Sequence, residues 1–325
     1  MIQLSVREKE GSRRKFRYDL KNQRQIIVYL NRLLNELRDV LIPLPSLLAV
    51  SENSTVTMMW DINPILIRLG PIALSWYGLF FAGGFLLGLL LMQWIYRREG
   101  RNAAELDRLL WYVLLGTVVG MRLVHCFFYE PEYYLAHPWE IPQVWLGGYA
   151  SHGGAIGLLL GVYLYCRAPH RPSYLWLLDR LAIPAVLAGA FIRIGNFFNS
   201  EIVGTETDSK LGVIFARVDL SPRHPVQLYE AVAYLAIFAV LLSIYRRGVR
   251  LRDGLLTGLY FMFVFTARFA LEFFKTPQAT YEAGYSIHVG QYLSLPFVLA
   301  GLLLLAIAGR KSNVKSNAKS NERGP

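Results

Sequence analysis

The sequence predicts an all-α, polytopic membrane protein of seven transmembrane helices, N-out and C-in, with an external loop region between helices 4 and 5. Three observations carry this. Of 325 residues, 54% are hydrophobic and only 18% are charged, whereas a soluble domain carries about 25% charged residues. Seven apolar stretches recur, at 72–93, 109–128, 148–166, 176–198, 229–245, 254–274 and 291–309, each near the roughly 20 residues needed to cross a hydrocarbon core. A spanning β-barrel would show short alternating segments instead. Lys and Arg also collect on alternate connections, 15 on one side against 4 on the other. The positive-inside rule places the richer side in the cytoplasm.

Residues 1–57 hold ten Lys and Arg, among them Arg13, Arg14, Lys15 and Arg17. The same rule opposes pulling them across the membrane ahead of an N-out span, and the segment lacks signal-peptide architecture. Met58 and Met59 stand immediately before W-D-I-N-P-I-L-I-R-L-G. The expectation is that translation starts there, with 1–57 a basic extension that is not native. The alternative is an amphipathic arm with a helix near 23–40, lying on a membrane surface or bound to a partner. Residues 58–310 then form the transmembrane domain.

The first and last apolar stretches contain no charge. Connection 94–108 carries Arg97, Arg98, Arg101 and Arg108, while 129–147 carries no Lys or Arg. The aromatics of 127–149 read as an interfacial belt. Connections 167–175 and 246–253 are basic again, through Arg167 and Arg171 and through Arg246, Arg247, Arg250 and Arg252. The tail 311–325 repeats K-S-N units without an apolar face and is expected to be a disordered basic segment at the anionic inner leaflet. The net charge of +11 is therefore topological and implies no nucleic acid. Cys126 and Cys166 have neither metal-ligand spacing nor a framework count, so no metal site is expected.

Ionisable groups inside spans are costly and point to function. Arg122 and His125 lie in the second stretch, Arg193 in the fourth and Arg268 in the sixth, with Glu272 four residues further on the same helical face. His152 lies near the outer end of the third. Asp179 and Arg180 open the fourth span, close enough to an interface to snorkel. Structural roles compete with functional ones here. Arg268 and Glu272 would serve as an ion pair that fixes helix packing, and a His beside two glycines more often packs than reacts. Gly83, Gly84 and Gly88, Gly116 and Gly120, and Gly153 and Gly157 suit small-xxx-small helix contacts. The segment Arg193 to Gly204 is harder to explain by packing, because it gathers Arg193, Asn196, Asn199 and Glu201 where a helix leaves the membrane. Polar groups this dense at membrane depth meet one another or line a cavity. Guanidinium forks match phosphate oxygens, so the residues alone point to a membrane protein handling a phosphate-bearing, anionic lipid.

Seven motifs then occur in order: S-W-Y-G-L at 75–79, G-M-R-L at 120–123, S-H-G-G at 151–154, G-A-F-I-R-I-G-N-F-F-N-S-E-I-V-G at 189–204, R-H-P-V-Q-L-Y-E at 223–230, R-F-A-L-E-F-F-K at 268–275 and V-G-Q-Y-L-S at 289–294. Over about 60–310 the chain resembles the bacterial prolipoprotein diacylglyceryl transferases. That family lacks an arm like 1–57, in line with a start at Met58 or Met59. The resemblance implies a multi-pass enzyme of the bacterial inner (cytoplasmic) membrane, which makes the external loop region periplasmic. Its partners would be phosphatidylglycerol, preprolipoprotein signal peptides with a lipobox cysteine, and the lipid bilayer itself. The diacylglyceryl group would pass to the cysteine thiol as a thioether, releasing glycerol 1-phosphate, with no metal or soluble cofactor.

Carried over position by position, the resemblance makes Arg193 and Arg268 the essential phosphate-clamping arginines. His152, followed by Gly153 and Gly154, becomes the candidate that removes the thiol proton, with a neighbouring arginine or a water-mediated route as alternatives. Tyr77 would orient the lipid or bond its head group. Asn196, Asn199, Glu201 and Gly204 would shape the mouth of the site, Glu272 would hold Arg268, and Arg122 would support from behind. The chain departs from the family at Tyr149-Ala150, where bulkier residues are common, which leaves the pocket shape open. A transporter or channel would instead show internal repeats and paired broken helices, and the halves of this sequence show neither. A non-catalytic lipid-binding scaffold would need none of these arginines for lipoprotein modification.

Overall fold

A computed structural model describes residues 48–50, 56–70, 72–248, 251–276 and 289–321. The amphipathic helix expected near 23–40 lies outside the described residues. Each of the seven apolar stretches is helical over most of its length. The helices are α1 (Trp76–Arg98), α2 (Glu105–Val124, continued by a π turn His125–Tyr129), the short α3 (Pro131–Ala136), α4 (Ser151–Cys166), α5 (Tyr174–Phe198), α6 (Val226–Arg247), α7 (Leu255–Leu271, continued by a 3-10 turn Glu272–Phe274) and α8 (Val289–Asn321). Among the described residues, six helices are long and apolar enough to cross a membrane. The third expected span, α4, has 16 residues, which at 1.5 Å per residue is about 24 Å long, short of a hydrocarbon core of about 30 Å. The chain is a multi-pass membrane protein, and its lateral faces agree. Phe81, Leu86, Ile156, Val232, Leu299 and Leu303 are exposed while Gln227, Glu230, Gln291 and Ser294 are fully buried, an arrangement suited to lipid outside and polar partners within.

The fold is helical as expected, and short strands occur beside the helices at β1 (Leu48–Val50), β2 (Val56–Trp60), β3 (Ile65–Leu69), β4 (Ile72–Ser75), β5 (Val213–Phe215) and β6 (Pro222–Arg223). The first apolar stretch thus begins as strand, and helix α1 starts only at Trp76. Ser75 sets that boundary, because its Oγ accepts the Gly78 N–H at 3.0 Å and satisfies an orphan donor of the first turn. At the other end, helix α8 runs through 311–321, where a disordered tail was expected. The K-S-N repeats hold no Gly or Pro before Asn321, so helix begun in the apolar part propagates into them.

The chain divides into two compact units, one of residues up to Leu79 with Gly195–Pro225, the other of Phe80–Ile194 with Val226 onward. The first unit holds both sheets. Strand order is β1-β2-β5-β6, with β2 and β5 parallel and Trp60 opposite Phe215; β3 and β4 form a separate antiparallel pair. Trp60 packs at a tilt against Phe197 and edge-on against Phe198, with ring centroids at 4.3 and 5.1 Å, anchoring the sheet to the last turn of α5.

The second unit holds the helical bundle. Helices α2 and α4 meet along Gly116, Gly120, Gly153, Gly157 and Gly161, where every added Cβ would fall within 2.4 Å of a facing carbonyl oxygen. Gly84 of α1 faces Phe191 and Ala188 of α5, and Gly258 of α7 faces Gly301 of α8. The apolar core lies around Tyr96, Tyr165, Leu177, Leu241 and Leu256. Asp179 and Arg180 do not snorkel but are buried, at 0% and 2% exposure. Asp179 accepts the Gly254 and Thr257 N–H groups and the Thr257 hydroxyl at 2.7–2.8 Å, closing the start of α7. Arg180 grips Glu99 with two bonds of 2.9 Å, and Glu99 also accepts Trp176 Nε1 and Tyr245 Oη. Partners from several helices satisfy both charges, so neither needs water.

Candidate functional site

Arg193 lies on α5 and is 14% exposed. Its Nε forms an ion pair with Glu230 Oε2 of α6 at 2.9 Å. One turn on from Glu230, Tyr234 is hydrogen-bonded by Arg193 and lies in the electrostatic field of Arg268. Glu230 is fully buried, and its other oxygen, Oε1, is 2.9 Å from Lys275 Nζ. Lys275 also donates to Glu272 Oε2 at 2.9 Å. Local geometry explains this last pair. Helix α7 tightens into the 3-10 turn at Glu272, closed by the Lys275 N–H on the Glu272 carbonyl, and in such a turn side chains three apart eclipse.

Glu272 was expected to hold Arg268. The structure corrects this: Glu272 faces Lys275, and Arg268 has no carboxylate partner among the described residues. Arg268 sits half-buried near the end of α7, a cation left over in a membrane segment. Counting Arg193, Arg268 and Lys275 against Glu230 and Glu272, the group carries one surplus positive charge.

Tyr77, Asn196, Asn199, Glu201 and Gly204 belong to the first unit, where Asn196, Asn199 and Glu201 form a network. Helix α5 ends in a Schellman arrangement, with the Glu201 N–H on Asn196 O and the Ser200 N–H on Phe197 O, both at 3.0 Å. Ser200 takes the left-handed position usually given to glycine, φ 56°, and Ile202 has the same φ. A β-branched residue there is strained. The turn aims Glu201 back at the helix, where its two oxygens accept Asn196 Nδ2 and Asn199 Nδ2 at 3.1 Å each. Tyr77 lies against Gly195, where an added Cβ would come within 3.0 Å of the ring. Gly204 donates to His224 O and accepts from Arg223 Nη1. Arg223 in turn makes a two-pronged pair with Asp219, whose carboxyl it holds below the usual carboxylate range.

His152 is exposed in the first turn of α4, and the described hydrogen bonds and ion pairs do not join it to Arg193 or Arg268. Gly153 and Gly154 face α2: added Cβ atoms would lie 2.2 Å from Gly120 O and 2.7 Å from Met121 Cγ. Arg122 is buried and committed elsewhere. Its Nε, Nη1 and Nη2 donate to the carbonyls of Ile141, Gly147 and Glu140, and Nη1 also reaches Tyr134 Oη. It pins the 130–150 connection to α2, leaving little of its fork for a phosphate. Sequence reasoning missed Glu230, Tyr234 and Lys275. Glu230 and Lys275 were visible as ionisable groups ending quoted motifs, and Glu230 also lay in an apolar stretch.

Residues 64–307 match the family model for Prolipoprotein diacylglyceryl transferase. A phosphatidylglycerol–prolipoprotein diacylglyceryl transferase of Tolumonas auensis is 58% identical over 78% of this chain and 98% of its own length. One of the same name from Chloroherpeton thalassium is 51% identical over 76% and 93%, and one from Bacteroides fragilis is 37% identical over 81% and 100%.

Proposed function

Because the chain belongs to the prolipoprotein diacylglyceryl transferase family, we propose that its cluster of membrane cations binds the phosphate of phosphatidylglycerol during the transfer. The chain is a transferase that moves the diacylglyceryl group of phosphatidylglycerol to prolipoprotein. Arg268 is the observation that carries the site assignment. A cation in a membrane segment without a carboxylate partner among the described residues is costly unless an anion joins it, and the donor lipid brings one.

Arg193, held by Glu230, and Arg268 clamp the phosphate and stabilise the charge that grows on it as the leaving group departs. The lipobox cysteine sulfur attacks the terminal glyceryl carbon of the lipid. The new C–S bond is a thioether, the C–O bond to phosphate breaks, and the electron pair leaves with glycerol 1-phosphate. The thiol must first lose its proton, since a thiol of pKa about 8.5 is mostly protonated at neutral pH. His152, exposed at the start of α4, is the candidate acceptor. By their places in the family's motifs, Asn196, Asn199, Glu201, Gly204 and Tyr77 are assigned to substrate binding. Residues 58–310 form the catalytic domain, with α4 a short seventh span, the N-terminal side of α1 outside and the end of α8 inside. The enzyme resides in the inner membrane.

The test uses purified full-length chain with phosphatidylglycerol and a lipobox peptide in detergent. Thioether product and glycerol phosphate rise together in equal amounts. Arg268→Ala and Arg193→Ala lose turnover; undiminished turnover in either would refute the clamp.

A further inference from the structure

Arg193, Glu230, Lys275 and Glu272 form an alternating chain of cation, anion, cation and anion, every link 2.9 Å. The two middle members are the most deeply buried, Glu230 at 0% and Lys275 at 3%. Glu230 gives one oxygen to each cation. The far end is also shaped for its occupant: at Gly290, on the first turn of α8, an added Cβ would lie 2.5 Å from the Glu272 carboxylate. Any side chain there would displace Glu272 from Lys275. The four charges cancel, so the surplus positive charge belongs to Arg268 alone.

Lys275 is thus the member that neutralises both carboxylates. Without it, Glu230 keeps one cation and Glu272 loses the cation it pairs with, in a region where water cannot screen them. Glu230 loses the partner that fixes its second oxygen, and the plane of Arg193 is no longer set. We propose that Lys275 is a positioning residue for phosphatidylglycerol binding, acting through Glu230 to hold Arg193 in place and balancing Glu272. The proposal rests on the phosphate-clamp assignment above and adds to it a residue that does not itself touch the lipid.

The test is a charge-balanced pair of substitutions in the full chain, assayed with phosphatidylglycerol and a lipobox peptide. Lys275→Met lowers kcat/KM for phosphatidylglycerol by about 10²-fold, the scale of an ångström-sized misplacement, with KM for the peptide unchanged. Lys275→Met combined with Glu272→Gln removes one charge of each sign, leaves the neutral Arg193–Glu230 pair and recovers most of the loss. A packing role for Lys275 predicts the opposite, because the double variant removes a further contact. A double variant no better than the single one overturns the proposal, as does an equal rise in KM for the peptide. Should Lys275→Met fail to fold, Lys275→Arg decides: it keeps the cation and stays within about threefold of the parent in KM for phosphatidylglycerol, and a tenfold rise overturns the idea. A parent chain that consumes no phosphatidylglycerol would instead sink the phosphate assignment itself.

Discussion

Replacing Gly157 by alanine tests whether the glycine seam between α2 and α4 positions the end of α4 that carries His152. An added Cβ at Gly157 would lie 2.0 Å from Gly116 O and 2.8 Å from Gly116 C. A carbon and a carbonyl oxygen settle no closer than about 3.3 Å, so the helices must part by about 1.3 Å. Both neighbours are backbone and neither can rotate away. The seam has no slack beside it either, since Gly120, Gly153 and Gly161 meet facing carbonyls just as closely. Overpacking of this kind costs about 1–3 kcal/mol, read as a lower melting temperature in detergent. His152 sits in the first turn of α4 and moves with the helix, and with His152 as the proposed proton acceptor a displacement near 1 Å costs about 10²-fold in rate. The assay is thioether formation from phosphatidylglycerol and a lipobox peptide, run beside a melting curve. Gly309→Ala is the control, because nothing lies within 4 Å of its added Cβ. Parent-like melting and turnover in Gly157→Ala would refute the seam. A lowered melting temperature with parent-like turnover would keep the packing argument and remove His152 from it.

Other outcomes follow from the same geometry. Arg122→Ala strands the carbonyls of Glu140, Ile141 and Gly147; charged hydrogen bonds are worth about 1.5–3 kcal/mol each, so amide exchange across 137–150 accelerates while the rest of the bundle stays protected. Asp219 is held below its ordinary pKa by hydrogen bonds from Arg223, so its contribution is complete above the unfolded carboxylate value of about 3.9. That contribution disappears as pH falls through the lower native value. Asp219→Asn therefore removes it at neutral pH and flattens the acid end of the 199–225 protection profile. Ile202→Gly relieves the φ of 56° and raises the melting temperature, as relief of about 1 kcal/mol would; a fall would show the strain to be balanced by side-chain packing. Cys126→Ala with Cys166→Ala leaves turnover intact, and its abolition would expose a covalent enzyme intermediate.

What could be read from sequence follows the range over which each signal acts. Hydropathy is local, so all seven apolar stretches were legible, and so was the density of polar groups from Arg193 to Gly204. The strands were not. Trp60 pairs with Phe215, and nothing in V-T-M-M-W announces a partner so distant in the chain. Asp179 and Arg180 failed for a related reason: their distance from a helix end argues for snorkelling, while their partners Thr257 and Glu99 come from α7 and from the turn after α1.

The misassigned partner of Glu272 is the most instructive case. Spacing by four selects Arg268 if the α-helix continues, but the backbone changes period at Glu272, and spacing by three then selects Lys275. The change of pairing leaves the net charge unaltered but decides where the surplus lies. Had Glu272 kept Arg268, Lys275 and Arg193 would share Glu230, and the surplus charge would lie spread over a closed network with no single open cation. Because the turn tightens, Glu272 is spent on Lys275, Glu230 is divided between two cations, and the excess is concentrated at Arg268. One residue's change of helical period thereby turns a pattern that reads as structural ion pairing into one that leaves Arg268 without a carboxylate among the described residues.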